Sequence, residues 1–351
     1  MAIAFVVAFS AACGSADDAS PGATATTPNG AARDVTTTPE AAERSTLFDV
    51  AGLIPPNFPN PSDDDWATLF GQFSETGPLI GVYQAYNSAA EPVAVIFNVA
   101  SPEGLIPIVG VGVKRDTPDG GAHHSIDPAT DVERAHFIDS SVALVEQHEI
   151  EYLLIDTEVD RIHANDPAAF GAFVGLYSET YDAVKAVSPE TKVFTAFQLE
   201  ELRGEAYLTG RDWQERWALI DAFGDRLDLV GFTSYPFFDY EDPAGIPDDY
   251  YAVAAEHAGG RPIAITELGW PSAPISTAPQ SGYGGSAAEQ LAFVERFGQL
   301  IAGLDVELVL WAFPNDVGPG VNPSFEFLSL RTNAGEAKPA LAAWQQLAGV
   351  E

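Results

Sequence analysis

The chain has 351 residues, of which 46% are hydrophobic and 11% are aromatic, so it is long enough to bury a sizeable core. Its formal net charge is −35, because 51 acidic side chains face only 16 Lys and Arg. Such a surface repels nucleic acid and anionic lipid, which excludes both as partners, and its shortage of cations fits a protein that works in salt.

The first predicted element, residues 1–13, is a short apolar run that ends in small residues and the single cysteine, Cys13. The run is too short to cross a bilayer as a helix. It resembles the apolar part of a secretory signal followed by a bacterial lipobox, although the basic residues that usually precede such a run are missing. The resemblance implies that Cys13 is lipidated and that the protein is extracytoplasmic, either anchored to a bacterial cell envelope or secreted. The alternative is an apolar N-terminus without this role.

Residues 14–44 are rich in Ala, Thr, Pro, Gly and Ser and contain almost no large apolar side chains. A segment of this composition cannot bury enough surface to offset the entropy lost on ordering. We therefore expect a disordered linker here, and a folded part that begins at residue 45.

Eight apolar runs of strand type recur along residues 45–351. Their continuous apolarity, without alternation, is typical of strands that are covered on both faces. The runs are LFDVAGL (47–53), LIGVY (79–83), IPIVGVGV (106–113), YLLI (152–155), KVFTAF (192–197), LDLVGFTSY (227–235), IAITE (263–267) and VELVLWAF (306–313).

Most of these runs are separated by segments with helical periodicity. One such segment places Phe170, Phe173 and Tyr177 on a single face, and others lie around 137–145, 291–301 and 337–349. The segment 88–104 gives the weakest helical pattern. Eight strand–helix units fit a single α/β domain, a (β/α)₈ TIM barrel, better than an open doubly wound sheet. No Gly-rich phosphate-binding motif follows any of the strands, which argues further against nucleotide binding.

Polar and aromatic side chains are concentrated where the predicted strands end. In a barrel of this type the catalytic groups come from the C-terminal ends of the strands. The candidates from the fourth to the eighth strand are Thr157, Glu158, Gln198, Glu200, Tyr235, Glu267, Trp270, Trp311 and Asn315.

Two of these residues, Glu158 and Glu267, would meet across the barrel axis. Glycoside hydrolysis uses such a pair: one acid protonates the leaving oxygen while one carboxylate acts at the anomeric carbon. A tyrosine hydroxyl, for which Tyr235 is the candidate, would help to keep one of them ionised. Trp270 and Trp311 offer flat faces of the kind that stack on sugar rings.

The motif ITELGWPS (265–272) resembles the nucleophile strand of the arabinogalactan endo-β-1,4-galactanase family, and residues 45–349 as a whole resemble clan A retaining glycoside hydrolases with a (β/α)₈ barrel. This resemblance implies that Glu158 is the acid/base, Glu267 the nucleophile, Tyr235 the hydrogen-bond partner of the nucleophile and Trp311 a sugar platform. The family has Asn-Glu at the acid/base, whereas this chain has Thr157-Glu158. Thr157 then stands where that Asn contacts the sugar 2-hydroxyl.

The loop after the third strand, RDTPDGGAHHSID, contributes three further candidates for substrate contact: Arg115, His123 and His124. No zinc-binding spacing surrounds these histidines, so we expect no metal and no cofactor. The alternative for Glu267 is a structural ion pair with an arginine such as Arg115. The alternative for Glu158 is a salt-bridge cluster with neighbouring Asp156, Asp160 and Arg161.

The sequence therefore predicts a retaining glycosidase that acts on polysaccharide or oligosaccharide by double displacement. A catalytically inactive carbohydrate-binding surface lipoprotein is the alternative, and a structural or adhesion protein of the cell surface is a second one. Retention requires the two carboxyl groups to lie roughly 5–5.5 Å apart.

Overall fold

The computed structural model describes residues 45–85, 104–115, 124–125, 128–148, 150–204, 214–275, 285–318 and 325–350. Residues 1–44, with Cys13 and the predicted linker, lie outside the described residues, and so does nearly all of the segment 88–104. From Ser45 onward the described chain forms one unit.

Eight parallel strands build this unit, each at one of the apolar runs predicted from the sequence. In chain order the strands are Leu47–Val50, Leu79–Ala85, Ile106–Gly112, Tyr152–Ile155, Lys192–Phe194 continued by Ala196–Gln198, Val230–Ser234, Ile263–Leu268 and Val306–Trp311. We number them as barrel strands one to eight. The fifth strand is interrupted at Thr195.

The strands close into a barrel because every strand has a parallel partner on each side. Strands two to five pair in sequence, as do strands five to eight, and the eighth strand pairs with the first. A parallel bridge between Ala51 and Gly81 joins the first strand to the second, with the amide of Gly52 donating to the carbonyl of Gly81 at 3.2 Å. The predicted (β/α)₈ barrel is confirmed.

Helices connect the strands on the outside of the barrel. They are Asp63–Ser74, Asp131–His148, Asp160–Asn165, Pro167–Val187, Leu199–Leu202, Ala218–Asp221, Tyr250–His257, Ala287–Ile301 and Pro339–Ala348, with 3-10 turns at Pro236–Phe238 and Pro243–Gly245 and a small antiparallel hairpin of Lys114–Arg115 with His124–Ser125. Among the described helices, none is both long and apolar enough to cross a membrane.

Capping side chains define where the longer helices begin. The hydroxyl of Ser62 accepts from the amide of Asp65 while Asp65 bonds back to the Ser62 amide, which satisfies two amides that the helix itself leaves open. Asp166 caps the helix that starts at Pro167, and Ser286 caps the helix that starts at Ala287. These helix starts follow from local chemistry, and the helices that begin at Pro167 and Ala287 contain two of the predicted periodic segments.

Strand alternation decides which side chains fill the barrel and which face the helices. Leu308 and Leu310 of the eighth strand belong to the core cluster that the strands enclose. Because successive side chains of a strand point to opposite faces, Trp311 points outward, where its ring meets Trp344 of the last helix at 5.5 Å between centroids. The C-terminal ends of the strands then form the mouth of the barrel.

Candidate active site

Glu267 lies near the end of the seventh strand and is 5% exposed. The hydroxyl of Tyr235, the first residue after the sixth strand, donates to Glu267 Oε2 at 2.6 Å. The pKa of Glu267 is raised from 4.5 to about 8: burial is the largest cause, the charge of Glu158 also raises the pKa, and the hydrogen bond from Tyr235 partly lowers it. A carboxyl group that is almost completely out of water is thus held by a single hydroxyl donor among the contacts described.

Glu158 lies just beyond the fourth strand, in the turn that leads into the helix Asp160–Asn165. Thr233 Oγ1 donates to Glu158 Oε1 at 3.1 Å, and Arg161 Nη1 donates to Glu158 Oε2 at 2.8 Å. Glu158 has a φ of 54° and Asp156 a φ of 59°. Two left-handed residues without glycine so close together cost conformational energy, and such strain is concentrated at functional sites.

The register of the sixth and seventh strands brings the two glutamates together. Thr233, which donates to Glu158, is the direct strand partner of Glu267. The carboxyl groups of Glu158 and Glu267 therefore lie at the same end of the barrel, and the charge of Glu158 contributes to the raised pKa of Glu267. Two acidic side chains, of which Glu267 is almost fully buried, therefore share this end of the barrel.

A charged cluster lies beside Glu158. Arg161 bonds to Glu158 and also approaches Glu201, with 3.9 Å between Arg161 Nε and Glu201 Oε1. Asp160 is fully buried and accepts from the amide of Gln198 at 2.8 Å, and burial, reinforced by the charge of Glu201, raises its pKa well above the ordinary value. Glu158 thus forms the ion pair with Arg161 that the salt-bridge alternative predicts, and it also accepts the hydrogen bond from Thr233.

Thr157 occupies the position before Glu158 and is half-buried. Its amide donates to the side chain of Asp156 at 2.9 Å. Its hydroxyl is buried and has no hydrogen-bond partner among the described residues. Thr157 therefore keeps an unused polar group next to Glu158.

Tyr83 of the second strand was not singled out from the sequence, yet it belongs to the same neighbourhood. Its hydroxyl donates at 3.0 Å to the carbonyl of Thr266, the residue before Glu267. Burial, followed by the charge of Glu267, raises the pKa of Tyr83 well above its ordinary value. The signal was available, because the predicted run LIGVY ends on this tyrosine in the same way that LDLVGFTSY ends on Tyr235.

Phenylalanine rings, which were not singled out from the sequence either, surround Tyr235. The Tyr235 ring lies 5.3 Å from Phe325, 6.0 Å from Phe237 and 6.3 Å from Phe238, measured between centroids. Phe313 in turn meets Phe325 at 6.2 Å. Phe side chains therefore pack around the Tyr235 ring, and of these Phe238 and Phe325 are partly exposed.

The predicted sugar platforms Trp270 and Trp311 were wrong. Both rings are 0% exposed, so neither has a face that a sugar can reach. Trp270 stacks on Phe293 of the helix Ala287–Ile301 at 5.1 Å, and Trp311 donates from Nε1 to the carbonyl of Leu328 at 2.7 Å. Both side chains lie on the helix-facing side of the strands.

The predicted substrate contacts Gln198, Glu200 and Asn315 are also corrected, because all three are buried and bonded within the protein. Asn315 is 0% exposed and its amide donates to the carbonyl of Ile54 at 2.9 Å and to Gln72 Oε1 at 2.6 Å. Gln198 is 3% exposed and donates to Glu200, which is itself fully buried. Their polarity, which suggested a rim position, satisfies internal partners instead.

The three remaining predicted residues, Arg115, His123 and His124, are described only in part or not at all. His123 lies outside the described residues, and Arg115 and His124 face each other across the small hairpin with only their backbones described. Within the described residues no group of three or more His, Cys, Asp or Glu is arranged to hold a metal ion.

Sequence comparison finds no match for this chain: no protein-family model and no curated protein is similar to it.

Comparison of the fold, in contrast, finds many solved structures. A family 39 glycoside hydrolase from the gut symbiont Bacteroides cellulosilyticus WH2 superposes with a TM-score of 0.60 at 17% identity over 86% of this chain, which spans 63% of that protein's length. A GH5_18 protein from Streptomyces cattleya in complex with GlcNAc gives 0.63 at 15% identity, covering 87% of this chain and 80% of its own. Native xylanase 10B from Thermotoga maritima gives 0.60 at 12% identity, covering 87% and 95%. At these identities the likeness shows the shared barrel fold.

Proposed function

We propose that this protein is a retaining glycoside hydrolase with Glu267 as nucleophile and Glu158 as acid/base. The observation that carries the proposal is the meeting of these two residues at one barrel mouth, through Thr233, with the Tyr235 hydroxyl on Glu267. The barrel shared with solved glycoside hydrolases supports the same class of reaction.

Each carboxyl group has a distinct task in the proposed reaction. Glu267 Oε attacks the anomeric carbon, whose bond to the leaving oxygen breaks as Glu158 passes its proton to that oxygen. The ionised Glu158 then takes a proton from water, and the resulting hydroxide displaces Glu267 and restores both groups. The hydrogen bond from Tyr235 supports the ionised form of Glu267, against the burial that opposes it.

The substrate class that we infer is a neutral polysaccharide or its oligomers, of plant or algal type. A chain with a net charge of −35 repels anionic polymers, whereas a neutral glycan meets no such barrier. The N-terminal lipobox-like segment with Cys13 belongs to the same proposal, since a lipid-anchored or secreted hydrolase would meet polymers that do not enter cells.

The first test is a screen of neutral and acidic polysaccharides with the wild type and the variants Glu267→Gln and Glu158→Gln. We expect hydrolysis of a neutral substrate by the wild type and a loss of about 10²–10⁴-fold in Glu158→Gln. Glu267→Gln should lose at least as much, because its amide cannot form the glycosyl intermediate. The matched control is Glu190→Gln, the same change at an exposed residue of the turn that precedes the fifth strand, at the opposite end of the barrel. Activity that survives in Glu267→Gln would remove the mechanism.

A fluorinated glycoside with a good leaving group separates the enzyme from the alternative. We expect a covalent adduct on Glu267, visible by peptide mass spectrometry, in the wild type and not in Glu267→Gln. Two observations favour the alternative, a barrel that binds carbohydrate without turnover. Thr157 replaces the family's Asn, and both carboxylate oxygens of Glu158 are already engaged, by Thr233 and Arg161. Saturable binding of a glycan with no adduct would decide for that alternative.

A further inference from the structure

Glu200 is a fully buried carboxylate that the proposed reaction does not use. It lies in the short helix Leu199–Leu202, directly after the fifth strand, with 0% of its surface exposed. Burying an ionised carboxylate is costly unless hydrogen bonds replace the lost water. The pKa of Glu200 is raised to about 7, because the effect of burial exceeds the lowering effect of the hydrogen bonds from Tyr250, Ser234 and Tyr235.

Four donors converge on this one carboxylate. Glu200 Oε1 accepts from the hydroxyl of Ser234 at 3.0 Å, from the amide of Tyr235 at 3.0 Å and from the hydroxyl of Tyr250 at 2.6 Å. Glu200 Oε2 accepts from the side-chain amide of Gln198. Both oxygens of Glu200 therefore accept hydrogen bonds from within the protein.

Two of the four donors belong to the segment that carries the partner of Glu267. Ser234 is the last residue of the sixth strand, and Tyr235 turns away from the strand with φ −133° and ψ 68°. Glu200 thus holds the backbone at the point where the sixth strand ends. The hydroxyl of the same Tyr235 reaches Glu267 at 2.6 Å.

We propose that Glu200 is a positioning residue that fixes Tyr235 against Glu267, so that the fifth strand controls the nucleophile on the seventh through the end of the sixth. This positioning matters for catalysis only if Glu267 is the nucleophile, and in that respect it rests on the proposed function. The positioning itself can be measured without turnover.

The hydrogen-bond pattern requires a carboxylate at position 200. Gln198 must present its amide NH₂ to Glu200, because its Oε1 already accepts from the amide of Glu201 at 2.5 Å. A glutamine at position 200 would therefore place an NH₂ group against the donor of Gln198 or, in the flipped orientation, against the amide of Tyr235. Either way two donors would face each other in a dry site.

The experiment is the titration of Glu267 by ¹³C NMR in the full chain labelled at the glutamate carboxyl carbons, with Glu267→Gln to assign the signal. We expect Tyr235→Phe to raise the midpoint of Glu267 by roughly 0.5–1 pH unit, the equivalent of one hydrogen bond. Glu200→Gln should shift it in the same direction. In the double variant Glu200→Gln/Tyr235→Phe, the change at Glu200 should add nothing, because it acts through the tyrosine.

The matched control is Tyr250→Phe, which removes a donor from the same carboxylate and leaves the contact with Tyr235 in place. Its Glu267 midpoint should equal that of the wild type. Should Glu200→Gln not fold, as judged by circular dichroism and thermal melting, Glu200→Asp takes its place, because the charge remains but the shorter side chain cannot reach all four donors. A midpoint in the Glu200 variant equal to the wild type, additive shifts in the double variant, or an equal shift in Tyr250→Phe would each overturn the proposal.

This outcome is independent of the proposed reaction. Covalent labelling of Glu267 together with an unchanged midpoint in Glu200→Gln would refute the positioning and leave the hydrolase intact. The expected midpoint shifts without labelling would refute the hydrolase and leave the positioning intact.

Discussion

Folding buries the Glu267 carboxyl group, and among the described contacts one hydrogen bond, from the Tyr235 hydroxyl, replaces its contacts with water. Its folded pKa of about 8 lies above the ordinary value of 4.5, so the folded protein holds this proton more tightly than the unfolded chain. The stability that comes from this difference is fully present below pH 4.5 and is lost as the pH rises through 8. Ionisation of Glu267, which the proposed role as nucleophile requires, would therefore weaken the fold.

We expect Glu267→Gln to be more stable than the wild type at pH 8.5 and to have little or no advantage at pH 5. The amide removes a buried charge at high pH and replaces a neutral acid at low pH, so the gap between the two proteins should widen by a few kcal/mol. Urea unfolding at both pH values measures it, with Glu190→Gln as the control for the change in net charge. A gap that is the same at both pH values would contradict a raised pKa for Glu267.

At the residue scale, the sequence was informative where chemistry and strand position coincide. Glu158, Glu267 and Tyr235 each follow or end an apolar run, and the three are connected in space through Thr233 and the Tyr235 hydroxyl. Trp270 and Trp311 also stand at strand ends, but they fall on the helix-facing side. An apolar run without alternation does not reveal which of two successive side chains points into the barrel.

At the scale of elements, the packing of the second strand against the third requires a glycine, Gly110, which has no side chain. Gly110 of the third strand pairs in register with Tyr83 of the second, and a Cβ atom at Gly110 would lie 2.4 Å from the Tyr83 ring. The glycine makes room for the ring, whose hydroxyl reaches Thr266 beside Glu267. The packing of these two strands therefore extends to the seventh.

We expect Gly110→Ala to destabilise the protein by roughly 1–3 kcal/mol, because the added methyl group displaces the Tyr83 ring in a packed barrel. Gly71→Ala is the control, since Gly71 lies exposed within the helix Asp63–Ser74 and has nothing within 4 Å of the added methyl. It should stabilise by roughly 0.5–1 kcal/mol through the unfolded chain and the helix. Urea unfolding measures the stability of both variants. If Gly110→Ala were as stable as Gly71→Ala, the Tyr83 ring would move aside without cost.

The sequence located the strands better than it located their ends. Tyr152–Ile155 coincides with its predicted run, whereas the sixth strand begins at Val230, after the predicted start at 227. The fifth run is interrupted at Thr195, whose carbonyl accepts from the amide of Gly231 while its hydroxyl turns to the carbonyl of Asp156 at 3.3 Å. Such breaks depend on neighbouring strands, and a local pattern contains no information about them.

At the scale of the whole molecule, the folded chain has a formal net charge of −35, which opposes its compact state. Some of the described ion pairs join one cation to one acid, as in the pairs Arg226–Asp182 and Arg134–Glu179. The acids outnumber the cations by 35, since 51 acids face 16 cations, so pairing cannot neutralise this excess of negative charge. Their mutual repulsion is present in the compact state and relaxes on unfolding.

We expect the melting temperature to rise by several degrees between low salt and about 1 M NaCl, where the screening length is about 3 Å. Screening removes repulsion that is stronger in the folded chain than in the unfolded one. Circular dichroism melts at constant pH measure the effect, and sucrose of equal osmolality is the control for solvent exclusion. A melting temperature that is independent of salt would mean that the repulsion is no stronger in the folded chain than in the unfolded one.

The burial of the indole rings has a spectroscopic consequence. Trp217, Trp270, Trp311 and Trp344 are all buried, and Trp270 and Trp311 contact helices on the side of the strands away from Glu267. Their ultraviolet emission consequently reports the integrity of the shell around the cylinder. Occupancy of the opening is better followed by the resonances of Phe238 and Phe325, which are partly exposed and lie beside Tyr235.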